Sequence, residues 1–311
     1  MVSELIAQSN DQGRVNGIER KIAVLIDADN VSSKYIKPIL DELSKFGAPT
    51  YKRIYSDWTK PEMAGWKNVL LTYSITPVQQ YSFISGKNAT DSNMIIEAMD
   101  ILYTGHVDSF CIVSSDSDFT RLAGRLREAG MYVIGMGEKK TPQSFISACE
   151  VFRYLEVLLS DGLIVAAEGP EPVMAREGGR LPGSKESAET GYAERKTSEE
   201  ADLSSSLSNV DEITGIIQKI VADTSDEDGW AFLGNVGNLL NKQKPDFDSR
   251  NYGYPKLTLF VKSLNRFDIE HRATNNPGIK HTFIRVRAGG RVSKKILSRS
   301  ASGRRKTGAS K

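Results

Sequence analysis

Hydrophobic runs and amphipathic segments alternate along the first half of this 311-residue chain. Short apolar runs predict five strands, at residues 22–26, 50–55, 78–83, 110–114 and 132–136. The segments between and after them predict five helices, at residues 31–46, 62–73, 91–103, 119–129 and 142–155. Strands that alternate with helices are typical of βαβ units. The pattern therefore predicts an α/β fold with a doubly wound parallel sheet in three layers.

The second half of the chain follows a different pattern. Helical periodicity covers residues 213–221, 231–240 and 256–264, and two strand-like pieces follow at 267–271 and 281–286. Three helices followed by a β-hairpin are typical of a small winged helix-turn-helix domain.

A segment without periodicity separates the two halves. It is rich in Gly, Ser, Ala and Glu, and residues 156–209 hold eleven acidic and five basic side chains. This composition predicts a flexible acidic linker. The expected organisation is a disordered N-terminus, an α/β domain, the linker, a winged-helix domain and a disordered basic tail, with bounds 1–20, 21–156, 157–208, 209–288 and 289–311.

The net charge of +2 hides a strongly basic C-terminal end. Twelve Lys or Arg residues follow Glu270, and no Asp or Glu does. A solvated tail is one explanation, but a basic end on a folded module favours a polyanionic partner such as nucleic acid.

Composition also indicates the compartment. The two cysteines, Cys111 and Cys149, match neither a zinc knuckle nor a disulfide framework, and the three histidines have no metal-binding spacing. The first twenty residues lack the apolar core of a signal peptide, and no window is apolar for long enough to cross a bilayer. We expect a cytoplasmic protein that has no membrane partner.

Acidic residues gather where two predicted strands end. Asp27 follows the run at 22–26, Asp116 and Asp118 follow the run at 110–114, and Asp91 opens the helix between them. Ligands bind at the carboxyl ends of the strands in open parallel sheets. Carboxylate oxygens suit Mg²⁺ or Mn²⁺, which activate water for hydrolysis. The pattern predicts a divalent-metal site with hydrolytic chemistry.

A structural role competes with this hypothesis at several positions. Asp29, Asn30 and Asp118 are residue types that cap helices, and each is a good candidate for that role. Asp27 and Asp116 directly follow the strands, before the expected caps, so they favour function. Glu97 and Asp100 do not share a helix face with Asp91, and we expect both to be solvated.

Three segments together resemble the acidic motifs of the NYN domain, a branch of the PIN-type nucleases. They are Ile26–Asn30, Lys87–Asp91 and Ser114–Phe119. The resemblance implies a PIN-like fold and a metal-dependent ribonuclease. Carried over by position, it makes Asp27, Asp91, Asp116 and Asp118 the catalytic and metal-binding set, with Mg²⁺ or Mn²⁺ as cofactor. Asn30 and Lys87 are expected to contact the substrate.

Residues 228–240 and 245–257 resemble the OST-HTH, or LOTUS, domain, which implies RNA binding. Four residues around the second segment are candidate RNA contacts, namely Arg250, Tyr252, Tyr254 and Lys256. The two tyrosines are equally candidates for packing the third helix. Trp230 and Phe232 are expected in the core.

The preferred function is therefore an RNA-binding ribonuclease whose RNA is held by the winged-helix domain and the basic tail. One alternative is an RNA-binding adaptor whose NYN site is catalytically inert. Another is a haloacid-dehalogenase-type phosphatase with Asp27 as nucleophile and Asp29 as general acid, for which Lys87 is a poor partner. A protein partner of the LOTUS domain and a homodimer both remain open.

Overall fold

The computed structural model describes residues 14–15, 18–80, 89–160, 209–273 and 280–287. The predicted linker beyond residue 160 and the basic tail lie outside these ranges. Arg14–Val15 (β1) and Ile18–Glu19 (β2) pair as short antiparallel strands, within a segment for which the sequence predicts disorder. Among the described residues, no helix is both long and apolar enough to span a membrane.

A six-stranded parallel sheet forms the centre of the N-terminal domain. Its strands are Lys21–Asp27 (β3), Ala48–Ser56 (β4), Thr76–Gln79 (β5), Ser109–Val113 (β6), Tyr132–Gly137 (β7) and Val151–Tyr154 (β8). Their order in the sheet is β5-β4-β3-β6-β7-β8. The chain therefore winds outward in both directions from β3 and β6, which pair directly. This is the doubly wound arrangement that the alternating pattern predicts.

Helices cover both faces of this sheet. They are Ile36–Leu43 (α1), Ala64–Leu70 (α2), Ala89–Thr104 (α3), Thr120–Glu128 (α4), Gln143–Ala148 (α5) and residues 155–160 (α6). Side chains of α1, α2 and α6 pack on one face, and those of α3, α4 and α5 pack on the other. Successive residues of β3 are buried in alternate cores, as both-sided burial requires in a parallel sheet. The result is the PIN-like three-layer fold.

Strand β8 corrects the prediction of one continuous helix over 142–155. Helix α5 ends at Ala148, and Cys149 already has extended backbone angles. Phe145, Cys149 and Phe152 are spaced as one helical face, which made a helix plausible. All three are nevertheless buried, because α5 and β8 pack into the same core. These three residues therefore have helical spacing in the sequence although Phe145 lies in a helix and Phe152 in the strand at the edge of the sheet.

The C-terminal domain contains three helices and a small antiparallel sheet. The helices are residues 209–224 (α7), Leu233–Gln243 (α8) and Leu257–Ser263 (α9). The strands are Ala231–Phe232 (β9), Phe267–Ala273 (β10) and Lys280–Val286 (β11), in the order β10-β11-β9. The winged-helix prediction is confirmed in outline, although β9 occupies two residues that were expected to be helical.

The two domains contact each other at the edge of the large sheet. The backbone N–H of Phe152 in β8 donates to the carbonyl of Pro245, at 2.8 Å, and the Tyr154 hydroxyl donates to the Asp246 carboxylate, at 3.1 Å. These bonds engage an edge strand that would otherwise present unpaired backbone groups.

Four charged residues are largely shielded from solvent at this contact, and we call them the docking cluster. They are Glu42, Arg153, Asp248 and Arg250, with side chains between 5% and 13% exposed. Arg250 donates to both carboxylates, at 2.8 Å to Glu42 and 2.6 Å to Asp248. Arg153 lies 3.4 Å from Glu42 and 3.3 Å from Asp248. Each buried charge thus has partners of the opposite sign across the domain boundary.

Candidate functional site

The predicted carboxylates lie at the point where the sheet changes its direction of winding. Asp27 is the last residue of β3, and Ser114 directly follows β6, its neighbour. Crevices form at such switch points because the connections leave in opposite directions. The fold therefore brings the acidic ends of two distant segments together, as the sequence predicts.

Asp27 is the centre of the site and is only 1% exposed. Its Oδ2 accepts hydrogen bonds from Ser114 Oγ, at 2.8 Å, and from Asn30 Nδ2, at 2.7 Å. Its Oδ1 accepts from the backbone N–H of Asp29, at 3.1 Å. Burial raises the pKa of Asp27, and the bonds from Ser114 and Asn30 offset part of that rise. This carboxylate is held in place by neutral donors while it is deprived of solvent.

Asp116 lies across the same junction and is partly buried. Its backbone N–H donates to Ser114 Oγ, at 3.1 Å, so one hydroxyl connects the two predicted carboxylate positions. Its Oδ1 accepts from the backbone N–H of Asp118, at 2.9 Å, and caps the short helix Ser117–Phe119. The cap is therefore Asp116, whereas Asp118 is an exposed residue in the first turn.

The other predicted residues of this site are placed as follows. Asn30 contacts Asp27 directly. Asp91 lies in the first turn of α3, and its side chain is outside the described part of the structure. Lys87 lies wholly outside it. Among the side chains that are described, no three from Asp, Glu, His and Cys converge as a cation site.

Several contributors to the site have no clear signal in the sequence. Ser114 connects Asp27 to Asp116, and Ser56 at the end of β4 donates to Asp29 Oδ1, at 2.8 Å. A serine near the end of a strand carries no functional signal by itself. Ser56 and Ser114 become recognisable as part of the site only because β4 and β6 both pair with β3.

Glu97 differs from its expected solvated state. Its carboxylate accepts from Arg53, at 2.6 Å, and from the Tyr55 hydroxyl, at 2.8 Å. Burial and the neighbouring Glu97 raise the pKa of Tyr55 far above its usual range. This contact ties α3 to β4, whose Tyr55 is in register with Asp27.

An open cleft adjoins the loop after β3. It has a volume of about 330 Å³ and is lined by residues 28–33 together with Glu62, Met63 and Trp66. The Trp66 indole donates to the carbonyl of Val31, at 3.2 Å, so the wall of the cleft is fixed. The site therefore opens to solvent on the side of Asp29 and Asn30.

The four predicted RNA contacts of the C-terminal domain differ in their surroundings. Arg250 belongs to the docking cluster, and its guanidinium is engaged by Glu42 and Asp248. The rings of Tyr252 and Tyr254 lie 4.9 Å and 5.8 Å from that of Phe260, centre to centre. Both tyrosines are partly buried against the core, as the packing alternative predicts. Lys256, at the start of α9, is exposed.

Comparison with protein families identifies both domains. The NYN domain model matches residues 21–156, and the OST-HTH/LOTUS domain model matches residues 207–279. No curated protein matches the chain significantly.

Two solved structures are similar to the chain. A protein of unknown function from Vibrio parahaemolyticus is 19% identical, over 43% of this chain and 91% of its own, with a TM-score of 0.37. An uncharacterized protein from Nitrosomonas europaea is 28% identical, over 37% of this chain and 92% of its own, with a TM-score of 0.21. The two family matches cover both folded parts described above and support an RNA-associated function. The chain therefore contains an NYN domain of the nuclease superfamily followed by an OST-HTH/LOTUS domain.

Proposed function

We propose that this protein is a metal-dependent ribonuclease whose OST-HTH domain binds the RNA that the NYN domain cleaves. The observation that supports the proposal most strongly is the environment of Asp27. A carboxylate that is 1% exposed and bonded only to neutral donors among the described residues lacks a compensating positive charge. Such a group is costly to the fold unless it serves a ligand.

The donor set suits a hard divalent cation. Asp27 and Asp116 offer carboxylate oxygens, and the Ser114 hydroxyl links the Asp27 carboxylate to the backbone N–H of Asp116. Mg²⁺ in phosphoryl chemistry needs only one or two protein carboxylates, because water and substrate phosphates complete its coordination. Asp27 and Asp116 would hold the ion, with Asp91 and Asp118 as the further members of the set. When bound, the ion would activate water and stabilise charge at the scissile phosphate.

Neutral residues orient the carboxylates of the site. Ser114 donates to Asp27 and accepts from the backbone of Asp116, which fixes the spacing of the two acidic residues. Asn30 holds the second lone pair of Asp27 Oδ2, at 2.7 Å, and so restricts rotation of the carboxylate. Preorganised ligands of this kind lower the cost of binding the ion and the substrate phosphate.

RNA binding is assigned to the C-terminal domain and the basic end. Exposed Lys256 at the start of α9 and the eight Lys or Arg residues after residue 287 provide phosphate contacts. Lys87 remains a candidate on the NYN side. Arg250 is left out of the RNA contacts because its guanidinium pairs with two buried carboxylates.

Cleavage of labelled RNA tests the nuclease proposal. The full-length protein with Mg²⁺ or Mn²⁺ should cut single-stranded RNA, and chelation with EDTA should stop it. Asp27→Asn or Asp116→Asn should lower the rate by at least about 100-fold, since each removes a carboxylate from the metal site. Asp100→Asn is the matched control, because Asp100 is an exposed carboxylate on the same helix as Asp91.

Two results would contradict the proposal. Cleavage that persists at the wild-type rate in the Asp27→Asn, Asp116→Asn double variant would show that another group, or a contaminant, cuts the RNA. RNA binding without cleavage in any divalent metal would favour the inert adaptor. A phosphomonoester offered in parallel tests the phosphatase alternative.

A further inference from the structure

The outer face of the small C-terminal sheet presents aromatic rings beside arginines. We call this the wing face and define it by six residues, Trp230, Phe232, Arg272, His281, Phe283 and Arg285. The strand register places Phe232 opposite Phe283, and His281 opposite Arg272. Trp230 and Phe232, which the sequence placed in the core, are only partly buried, whereas Ala231 between them is 1% exposed.

The rings contact one another at tilted angles, and the guanidiniums lie over ring faces. The Phe232 ring centre lies 5.0 Å from that of His281 and 5.7 Å from that of Phe283. The Arg272 guanidinium carbon lies 4.4 Å from the centre of the Phe283 ring, and that of Arg285 lies 4.6 Å from the Trp230 ring. Planar groups thus extend across the three strands.

Carboxylates on the same sheet hold the two arginines. Arg272 pairs with Glu270, at 3.2 Å, and Arg285 lies 3.5 Å from Asp268. Their side chains are nevertheless 36% and 44% exposed. Because the acidic partners offset most of the positive charge, the wing face offers flat stacking surfaces more than net electrostatic attraction.

We infer that the wing face binds unpaired bases of a single-stranded RNA by stacking. Proteins that bind single strands place bases on aromatic rings and on arginine planes, next to a basic path for the backbone. Basic residues are also plentiful in the sequence after β11, where residues 288–311 contain eight basic and no acidic side chains. The inference rests on the proposed RNA binding by this domain and specifies where the bases lie.

Stacking and charge have different salt dependence, and this separates the two contributions. Phosphate contacts release counterions, so they determine the slope of log affinity against log salt concentration. Loss of a stacking ring should lower the affinity by the same factor at every salt concentration. In contrast, loss of basic residues in the tail should reduce the slope.

Binding of a labelled oligouridylate to the full-length protein tests the inference. EDTA is present so that cleavage cannot change the probe. Trp230→Leu should weaken binding by about tenfold with the salt slope unchanged. Arg285→Lys keeps the charge but loses the planar group, and should weaken binding by about threefold. Tyr103→Ala is the matched control, because it removes a ring that is 75% exposed in the other domain.

Tryptophan fluorescence gives a second measurement that does not depend on a loss of affinity. RNA should quench the emission of the wild-type protein, and Trp230→Phe, which keeps an aromatic ring, should lose most of the quenching while still binding. This measurement decides the case if Trp230→Leu also lowers the melting temperature.

The outcomes distinguish the two proposals. If the wild-type protein does not bind RNA, the proposed RNA binding fails and the inference fails with it. If the wild-type protein binds RNA and the folded variants Trp230→Leu and Arg285→Lys bind it as tightly as the wild type, only the wing-face inference is overturned. The same holds if RNA quenches the emission of Trp230→Phe as strongly as that of the wild type. If heparin displaces the RNA completely and the wing-face variants have the wild-type RNA affinity, charge alone accounts for RNA binding and the inference is wrong.

Discussion

Two buried carboxylate sites in this protein have opposite electrostatics. Asp27 is 1% exposed, and among the described residues it accepts hydrogen bonds from a serine hydroxyl, an asparagine amide and a backbone N–H. Glu42 is 4% exposed and pairs with Arg250, Arg153 and Lys45. Burial opposes ionisation at both places. At Asp27 it raises the pKa, whereas at Glu42 the bonds and charge of Arg250 and Lys45 outweigh it and lower the pKa.

The comparison shows why burial alone does not identify a functional acid. The docking cluster is internally compensated, so it has no need of a ligand and serves to join the domains. Asp27 has fixed neutral donors but no cationic partner within the part of the chain that the structure describes, and the proposed metal ion would supply that charge. The sign of the neighbouring charge therefore separates the structural carboxylates from the one that we propose to bind metal.

Removal of a cation from the docking cluster should have the largest effect on stability. Arg250→Ala leaves Glu42 and Asp248 buried with only part of their compensation, which should cost about 3–5 kcal/mol of unfolding free energy. Urea denaturation measures the loss. Arg266→Ala removes the same charge from an exposed position and should change stability little. A loss below about 1 kcal/mol for Arg250→Ala would mean that the domains do not depend on this cluster.

Neutralising one carboxylate of the cluster should give a smaller, pH-dependent loss. Asp248→Asn keeps one of the two side-chain oxygens and leaves Glu42 beside both arginines, so it should cost roughly 2 kcal/mol at pH 7. The native pKa of Asp248 is lowered, because the arginine contacts outweigh burial, so this contribution is present above the ordinary carboxylate range near pH ~4 and disappears below it. The difference between wild type and variant should therefore shrink as the pH falls. A constant difference down to acidic pH would contradict the assignment.

Neutralising Asp27 should raise the free energy of unfolding, whereas neutralising a carboxylate of the docking cluster lowers it. Asp27→Asn removes a buried charge that lacks a cationic partner, and should raise stability by roughly 1 kcal/mol at neutral pH. Because the pKa of Asp27 is raised, its penalty is absent below the ordinary carboxylate pKa, grows as the pH rises from there to the raised value, and is complete above it. The gain should thus vanish in acid. Denaturation at several pH values checks this, and destabilisation at pH 7 would show that the carboxylate is structural.

The smallest effect on stability is expected at Asp116. Two substitutions separate its role as a helix cap from its negative charge. Asn caps helices as well as Asp does, so Asp116→Asn should change stability by less than about 0.5 kcal/mol. Asp116→Ala also loses the bond to the Asp118 N–H and should cost about 1 kcal/mol. Equal stability of the two variants would indicate that the cap contributes nothing.

The sequence was most informative where a residue's surroundings are local. The apolar run of β3 ending in Asp27, and that of β6 ending before Asp116, predicted both the sheet and the acidic junction. The role of Arg250 could not be predicted, because its partner Glu42 lies 208 residues away and only the docked domains bring the two together. Trp230 and Phe232 were wrongly predicted to lie in the core, and here the cause is local. A two-residue strand is too short for its alternation to show which side faces the core.

Manganese binding measured by isothermal titration tests whether Asp27 is a metal ligand, and it does not depend on any choice of RNA. We expect the wild-type protein to bind Mn²⁺ and Asp27→Asn, folded and at least as stable, to bind it at least about tenfold more weakly. Glu42→Gln, which alters a buried carboxylate of the compensated kind, should leave the affinity unchanged. Equal Mn²⁺ affinity of the wild type and Asp27→Asn would contradict the assignment of Asp27 as a metal ligand.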